Sequence, residues 1–412
     1  MITKSSVFAP HSLRFLFAPA LLALSMATAS AASFYVSPTG SDSNAGTQAA
    51  PFKTVTKGQS AASSGDTVFL RGGTYSSFTI ASSDSTYNYV HLLNKGGVTY
   101  AAFTGETPVF NFSSVSTSLR VAGFRITGSG IKITGIQVTG TPAGSQKQSE
   151  CFRIDGSSAS CTFTRVVCHD NKANGFYFTN HSTGSCVMCD SYNNIGPTSA
   201  SVGNTDGFGA HGNGVTFDRC RSWHNSDDGY DTIASFGANT FSHCWAYNMT
   251  AGGDSNGFKV GGWGSTTPPS SVPSHTVRFC LSANNAANGF YANHQPGKSA
   301  DWTNNTAYNN SSANYNMLER RSVTDATDIA GTREVFHNNI AFTGTTISND
   351  NNSAANKTNN SWTKSGVSVS SGDFQSVDAT QIDNTRASDG SLPSITFMHL
   401  ASGSDLAGLG CF

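Results

Sequence analysis

A parallel β-helix, all-β and closed at its N-terminal end by a short cap, is the fold this 412-residue sequence predicts. Three observations carry that expectation. The first is a repeat of Asn or Asp, then Gly, then an aromatic, in "KANGFYF", "NTDGFGA", "SDDGYDT", "DSNGFKV" and "AANGFYA", with glycines at 175, 207, 229, 257 and 289. The second is an echo upstream of most of them, "CDSYNN", "CRSWHN", "CWAYNM", "CLSANN" and "NTAYNN". The third is the spacing: short β-prone runs divided by turn residues at a basic period near 22, with insertions, are the signature of stacked coils. A coil of this kind cannot bury its apolar face alone and completes its core on its neighbours.

The elements follow in order. Lys4 and Arg14 precede the apolar run "FLFAPALLALSMATA", and Ala29 and Ala31 stand at cleavage-site spacing, so residues 1–32 read as a secretory signal. Residues 33–412 read as one domain, of which 33–75 form the N-terminal cap and first coils. Within the cap, "PFKTVTKGQSAA" fits a short amphipathic helix over the open end, where an unpaired sheet edge needs cover. The Asn-Gly pairs are expected at sharp corners, where a left-handed backbone is tolerated. From about 343 the chain turns polar and loop-like, and 343–412 should pack back along the solenoid as an irregular C-terminal covering.

Composition excludes several classes. Without the leader, 22 Lys and Arg face 25 Asp and Glu, which lacks the basic excess of a nucleic-acid binder. No later segment approaches twenty apolar residues, so a membrane span is not expected; the mature protein should be secreted, extracellular and monomeric. The nine cysteines cannot all pair and read chiefly as small buried hydrophobes with one or two bridges at most. Cys186-x-x-Cys189 alone completes no zinc site.

Aligning the glycines places distant residues side by side, one strand spacing (about 4.8 Å) apart. The residue before Gly reads Asn174, Asp206, Asp228, Asn256, Asn288; two after Gly it reads Tyr177, Gly209, Asp231, Lys259, Tyr291. Side chains alternate along a strand, so with the aromatics inward this last column points outward. Asp206, Asp227, Asp228 and Asp231 then converge on one surface patch beside Lys259. A plain Lys259–Asp231 salt bridge leaves three carboxylates uncompensated, whereas a hard cation such as Ca²⁺ accounts for the cluster. A cation beside a partly buried lysine lowers its pKa and fits it to act as a base. The parts together suit abstraction of the C5 proton of a uronic acid followed by loss of the group at C4, a β-elimination.

At this point the chain resembles polysaccharide lyase family 9, secreted right-handed β-helix pectate lyases. The resemblance is carried by "DGFGAHGNGVTFDRCRSWHNSDDGYD" and "DSNGFKVGG", and also by "FYVSPTGSDSNAGTQAAPFKT" near the N-terminus. It implies Asp206, Asp227, Asp228 and Asp231 as Ca²⁺ ligands, Lys259 as catalytic base and pectate or another acidic polysaccharide as substrate. The stretch between Asp206 and Asp227 is shorter than the family pattern. Further candidates for substrate contact are His211, His224, Arg219, Arg221, Lys298, Arg320, Arg321 and Trp263. The rival readings are a lyase for another uronide such as rhamnogalacturonan, a non-catalytic β-helix adhesin, and a hydrolase using paired carboxylic acids without a metal.

Overall fold

The computed structural model describes residues 1–5, 30–115, 118–144, 148–196, 203–250, 252–263 and 272–412. The chain separates into Met1–Ala31 and Ala32–Phe412, and everything below concerns the second unit. The predicted leader falls largely on residues 6–29, which lie outside the described residues.

Three sheets of 12, 10 and 11 strands form the walls of the solenoid, and the coils between its ends each contribute one strand to each wall. Among the described residues the strands pair in parallel, apart from Ser82–Ser83 against Tyr87–Leu93 and the hairpin Leu318–Ser322 with Asp325–Ala330, and the tail adds an isolated antiparallel bridge between Phe374 and Leu400. Regular pairing runs past 343, since Ile347–Ser348 and Lys357–Thr358 still add to two of the sheets. The expected cap helix spans Val55–Ala61, with Thr54 Oγ1 accepting from Lys57 N at 3.1 Å. Gly58 sits where a Cβ would press on Val36 and Val68, so the helix lies directly on the first coils.

The aromatics after each motif glycine do point inward. Nine rings stack along the axis, from His91 through Phe124, Phe152, Phe176, Phe208, Tyr230, Phe258 and Phe290 to Tyr315, with centroids 4.7–5.4 Å apart. Such pairs add about 0.5–1.5 kcal/mol each beyond their area burial, which makes this column a main support of the fold.

The motif glycines are needed for a different reason from the one expected. None of the five has a positive φ. A Cβ on Gly207 would lie 2.1 Å from Ser222 Oγ, and one on Gly257 2.1 Å from Ser282 Oγ, so these glycines admit the polar ladder of the adjoining wall. The left-handed corners fall elsewhere, among them one row at Arg165, Met188, Arg219, His243 and Phe279 and another at Asn193, His224, Asn248, Asn284 and Asn309 in the echo. The ladder itself is made of the asparagines of the upstream echo. Asn194 Nδ2 donates to Asn225 Oδ1 at 2.9 Å and Asn285 Nδ2 to Asn310 Oδ1 at 2.8 Å; a separate ladder takes Asn305 Nδ2 to Asn339 Oδ1 at 3.1 Å.

All nine cysteines are free thiols and buried. The C-terminal segment covers the outer face of the ten-stranded sheet, where Phe374, Ile382, Phe397, Leu406 and Leu409 pack on Trp245, Tyr247 and Leu281. Buried Asp190 fastens it by taking Arg221 at 2.9 Å and Arg386 at 2.7 Å.

Candidate active site

The outward column predicted from the sequence is the one observed. Tyr177 pairs in register with Gly209, Gly209 with Asp231, Asp231 with Lys259 and Lys259 with Tyr291. The preceding column is equally continuous. Asn174 Oδ1 accepts from Asp206 N at 2.7 Å, Asp206 Oδ1 from Asp228 N at 3.1 Å, and Asp228 Oδ1 from Asn256 N at 2.8 Å. Asp206 and Asp228 therefore take ladder places that elsewhere hold Asn, and bring a charge to each.

The expected surface patch is the floor of a cleft instead. Asp206, Asp227, Asp228 and Asp231 are at most 5% exposed and Lys259 is 8% exposed. The cleft encloses about 360 Å³ and is lined by Tyr177, His211, Phe236, Asp206, Asp227, Asp231 and Lys259 among others, with Asp228 fully buried outside the lining. Walls of low dielectric strengthen every charge interaction inside it.

Lys259 Nζ lies 2.7 Å from Asp254 Oδ2, 3.1 Å from Asp228 Oδ2 and 3.5 Å from Asp231 Oδ2. Asp254 was missed by the sequence reading. Its signal was present in "GGDSNGFKV", five positions before the lysine, but the glycine alignment has no column for it. Asp227 Oδ1 accepts from Asp254 N at 2.6 Å, which holds the two loops together. Asp231 Oδ1 accepts from Ile233 N at 2.7 Å, which leaves Oδ2 for the cleft.

Five carboxylates share one ammonium. Asp206, Asp228 and Asp231 form one group with ligand atoms within 4.8 Å of one another, and Asp227, Asp228 and Asp254 form a second. Burial and then repulsion from Asp228 push Asp227 up to about 8; burial pushes Asp228 up to about 6 against the pull of Lys259. Burial and the neighbouring carboxylates raise Asp206 well above the ordinary range. Asp228 Oδ2 accepts no hydrogen bond.

One sequence expectation is reversed by the protein groups. Burial alone would lower the pKa of Lys259, but attraction from Asp228, Asp231, Asp254 and Asp227 outweighs it, and the net direction is upward. A lowered pKa requires those carboxylates to be engaged elsewhere.

The remaining candidates divide. His211 lines the cleft, with its ring over Gly209 and Nδ1 against Ile233 O at 2.6 Å, so that bond fixes Nδ1 as the donor nitrogen. Gly209 interrupts the column because a Cβ there would strike Tyr177 and His211. Arg320 stacks on Trp263 at 4.6 Å, which occupies one face of that indole. Arg219, Arg221, His224 and Lys298 are not among the cleft lining. Arg219 pairs with Asp218, Arg221 is buried against Asp190 beneath the tail, Lys298 pairs with Asp301, and His224 occupies a corner with φ 51°. Arg321 is exposed and 3.8 Å from Asp325.

Residues 34–339 match the family described as Pel9A-like, right-handed β-helix region. The chain belongs to that family. With it comes the enzyme class, a polysaccharide lyase. The chain is 29% identical to pectate lyase L of Dickeya chrysanthemi over 392 residues, covering 92% of this chain and 85% of that one. Among solved structures it resembles a rhamnogalacturonan lyase, with a TM-score of 0.83, 33% identity and coverage of 92% and 99% of the two chains. It also resembles a crystal structure of pectate lyase Pel9A, with a TM-score of 0.72, 26% identity and coverage of 91% and 90%.

Proposed function

We propose that this lyase is secreted and cleaves pectate by Ca²⁺-dependent β-elimination, with Lys259 as the base and Asp206, Asp227, Asp228 and Asp231 as the cation ligands. The observation that carries the reading is a single buried lysine among five carboxylates, of which Asp206, Asp227 and Asp231 line the cleft with it, Asp228 lies buried behind them and Asp254 is exposed at the edge. The donor set fits Ca²⁺: it is all oxygen, Lys259 offsets only part of its charge, and Asp228 Oδ2, though 3.1 Å from Lys259 Nζ, accepts no hydrogen bond. Relatives named pectate lyase support an acidic polymer as substrate.

When bound, Ca²⁺ would supply positive charge that offsets a substrate carboxylate and acidifies the neighbouring C–H. The chain's own residues do the rest. Carboxylates occupied as ligands no longer hold the Lys259 ammonium, which frees Nζ to lose its proton. Unprotonated Nζ then takes the C5 proton, the electron pair closes a C4–C5 double bond, and the C4–O bond breaks with its pair going to the departing oxygen, which takes a proton from solvent as it leaves. His211, held through Nδ1, presents Nε2 for a hydrogen bond to the sugar. The walls that bury Lys259 keep bulk water from reprotonating the carbanion.

A second reading, a rhamnogalacturonan lyase, is favoured by the 0.83 TM-score to the enzyme of that name. The elimination machinery would be the same. An ultraviolet assay for the conjugated double bond tests both, run on polygalacturonate and on rhamnogalacturonan with added Ca²⁺ or with chelator. Absorbance growth on polygalacturonate that chelator abolishes supports the first reading. Growth only on rhamnogalacturonan selects the second, and none on either polymer ends both.

A further inference from the structure

Phe236 is among the few large apolar side chains left exposed among the described residues, at 51%, and it stands on the wall of the catalytic cleft. A mobile loop does not explain it. Ile233 N is bonded to Asp231 Oδ1, Ala234 N to Gly262 O and Ser235 N to Thr232 O, while Phe236 N and Gly237 N share Gly212 O at 3.0 and 3.2 Å. Every backbone amide from 233 to 237 is fixed, and the fixed loop still holds the ring in solvent. Leaving such a side chain half in solvent forgoes part of the stabilisation that its burial would give. The ring is also braced, with the His181 ring centroid 3.7 Å away at 37°.

The cleft is divided in character. Asp206, Asp227, Asp231 and Lys259 line it together with the apolar side chains of Ile233, Ala234 and Phe236. The Phe236 loop belongs to the coil of Asp231 and leans back on Gly212, which follows the strand Phe208–Ala210 of the coil before. The loop therefore spans from the coil before Asp231 to the coil of Lys259, with Phe236 itself held on the Gly212 side. Ile233, Ala234 and Phe236 themselves offer a polymer apolar surface and no charge.

We infer that Phe236, buttressed by His181, is a stacking platform for the C–H face of a pyranose ring in the substrate polymer, one that binds a sugar beside the one that is cut. The inference rests on the polysaccharide-lyase reading and extends it to a subsite. The platform recognises a sugar by its apolar face, so it serves an uncharged residue as well as a uronate, and it contributes binding rather than chemistry.

The test compares Phe236→Ala and Phe236→Trp with wild type on whichever uronide polymer the wild type cleaves best. Phe236→Ala should raise KM about tenfold, as expected for one lost ring contact, with kcat changed less than twofold and an unaltered melting curve. Phe236→Trp should keep KM within about threefold of wild type, since it restores a ring. An unchanged KM in Phe236→Ala, or an equal rise in both variants, overturns the platform. If the wild type cleaves no uronide polymer, the functional reading fails separately. Retardation in gels loaded with polygalacturonate or rhamnogalacturonan then decides: loss of wild-type retardation in Phe236→Ala supports the platform, and equal mobility of the two, retarded or not, overturns it.

Discussion

Asp231 and Lys259 are register partners on adjacent coils, and the ammonium of one lies 3.5 Å from the carboxylate of the other. They are far apart in sequence and neighbours only because the solenoid closes a coil between them. The same stacking brings Asp206 and Asp228 into one ladder, so the site is a consequence of the repeat rather than an addition to it.

Asp231→Ala removes a carboxylate that faces both the cleft and the lysine. Calcium affinity measured by calorimetry should fall about 100-fold or more, and lyase activity should fall with it. Because Asp231 Oδ1 also accepts from Ile233 N, Asp231→Asn should keep the loop folded while losing the metal. Unchanged calcium titrations in both variants would remove Asp231 from the ligand set.

Asn339 tests the inner ladder away from the site. It is fully buried, donates to Trp302 O and Asn360 Oδ1, and accepts from Asn305. Asn339→Ala orphans several buried groups at once and should destabilise the fold by about 2–4 kcal/mol in denaturant unfolding. A loss below about 0.5 kcal/mol would mean that the ladder is ornamental to stability.

Glu334 should make stability depend on pH. It is 1% exposed, accepts from Ser299 N and Trp302 Nε1, and burial pushes it up to about 7 against those bonds. A folded pKa above the ordinary 4.5 means the folded state binds the extra proton. Its contribution is then full below about 4.5 and is lost as pH rises through about 7, on the order of 3 kcal/mol in all. The stability difference between wild type and Glu334→Gln, followed by chemical denaturation, should shift in that direction over that window. A difference that stays flat from pH 4.5 to 7.5 would contradict it.

Most of the architecture was legible because the repeat is written in residue types that only one geometry reconciles. The glycine alignment gave the register of Tyr177, Gly209, Asp231, Lys259 and Tyr291 as observed. The reason for the glycines was misread: close approach of Ser222 and Ser282 looks the same in sequence as a left-handed corner. Burial of the acidic cluster was not legible, since a column points outward whether or not loops rise around it. Asp254 escaped because loop residues have no repeat partner to align with. Arg221 shows the limit for lone charges, being held by Asp190 and the tail across 163 positions of sequence.

The central claim is that Lys259 is the base, and Lys259→Arg tests it most directly. Arginine keeps the positive charge and much of the bulk but stays protonated, with a pKa above about 12. With saturating Ca²⁺ and polymer, the ultraviolet assay should show kcat reduced by about 10³-fold or more, while calcium binding and the melting temperature stay near wild type. Turnover within about tenfold of wild type would show that the positive charge at 259, and not its proton transfer, is what the reaction uses.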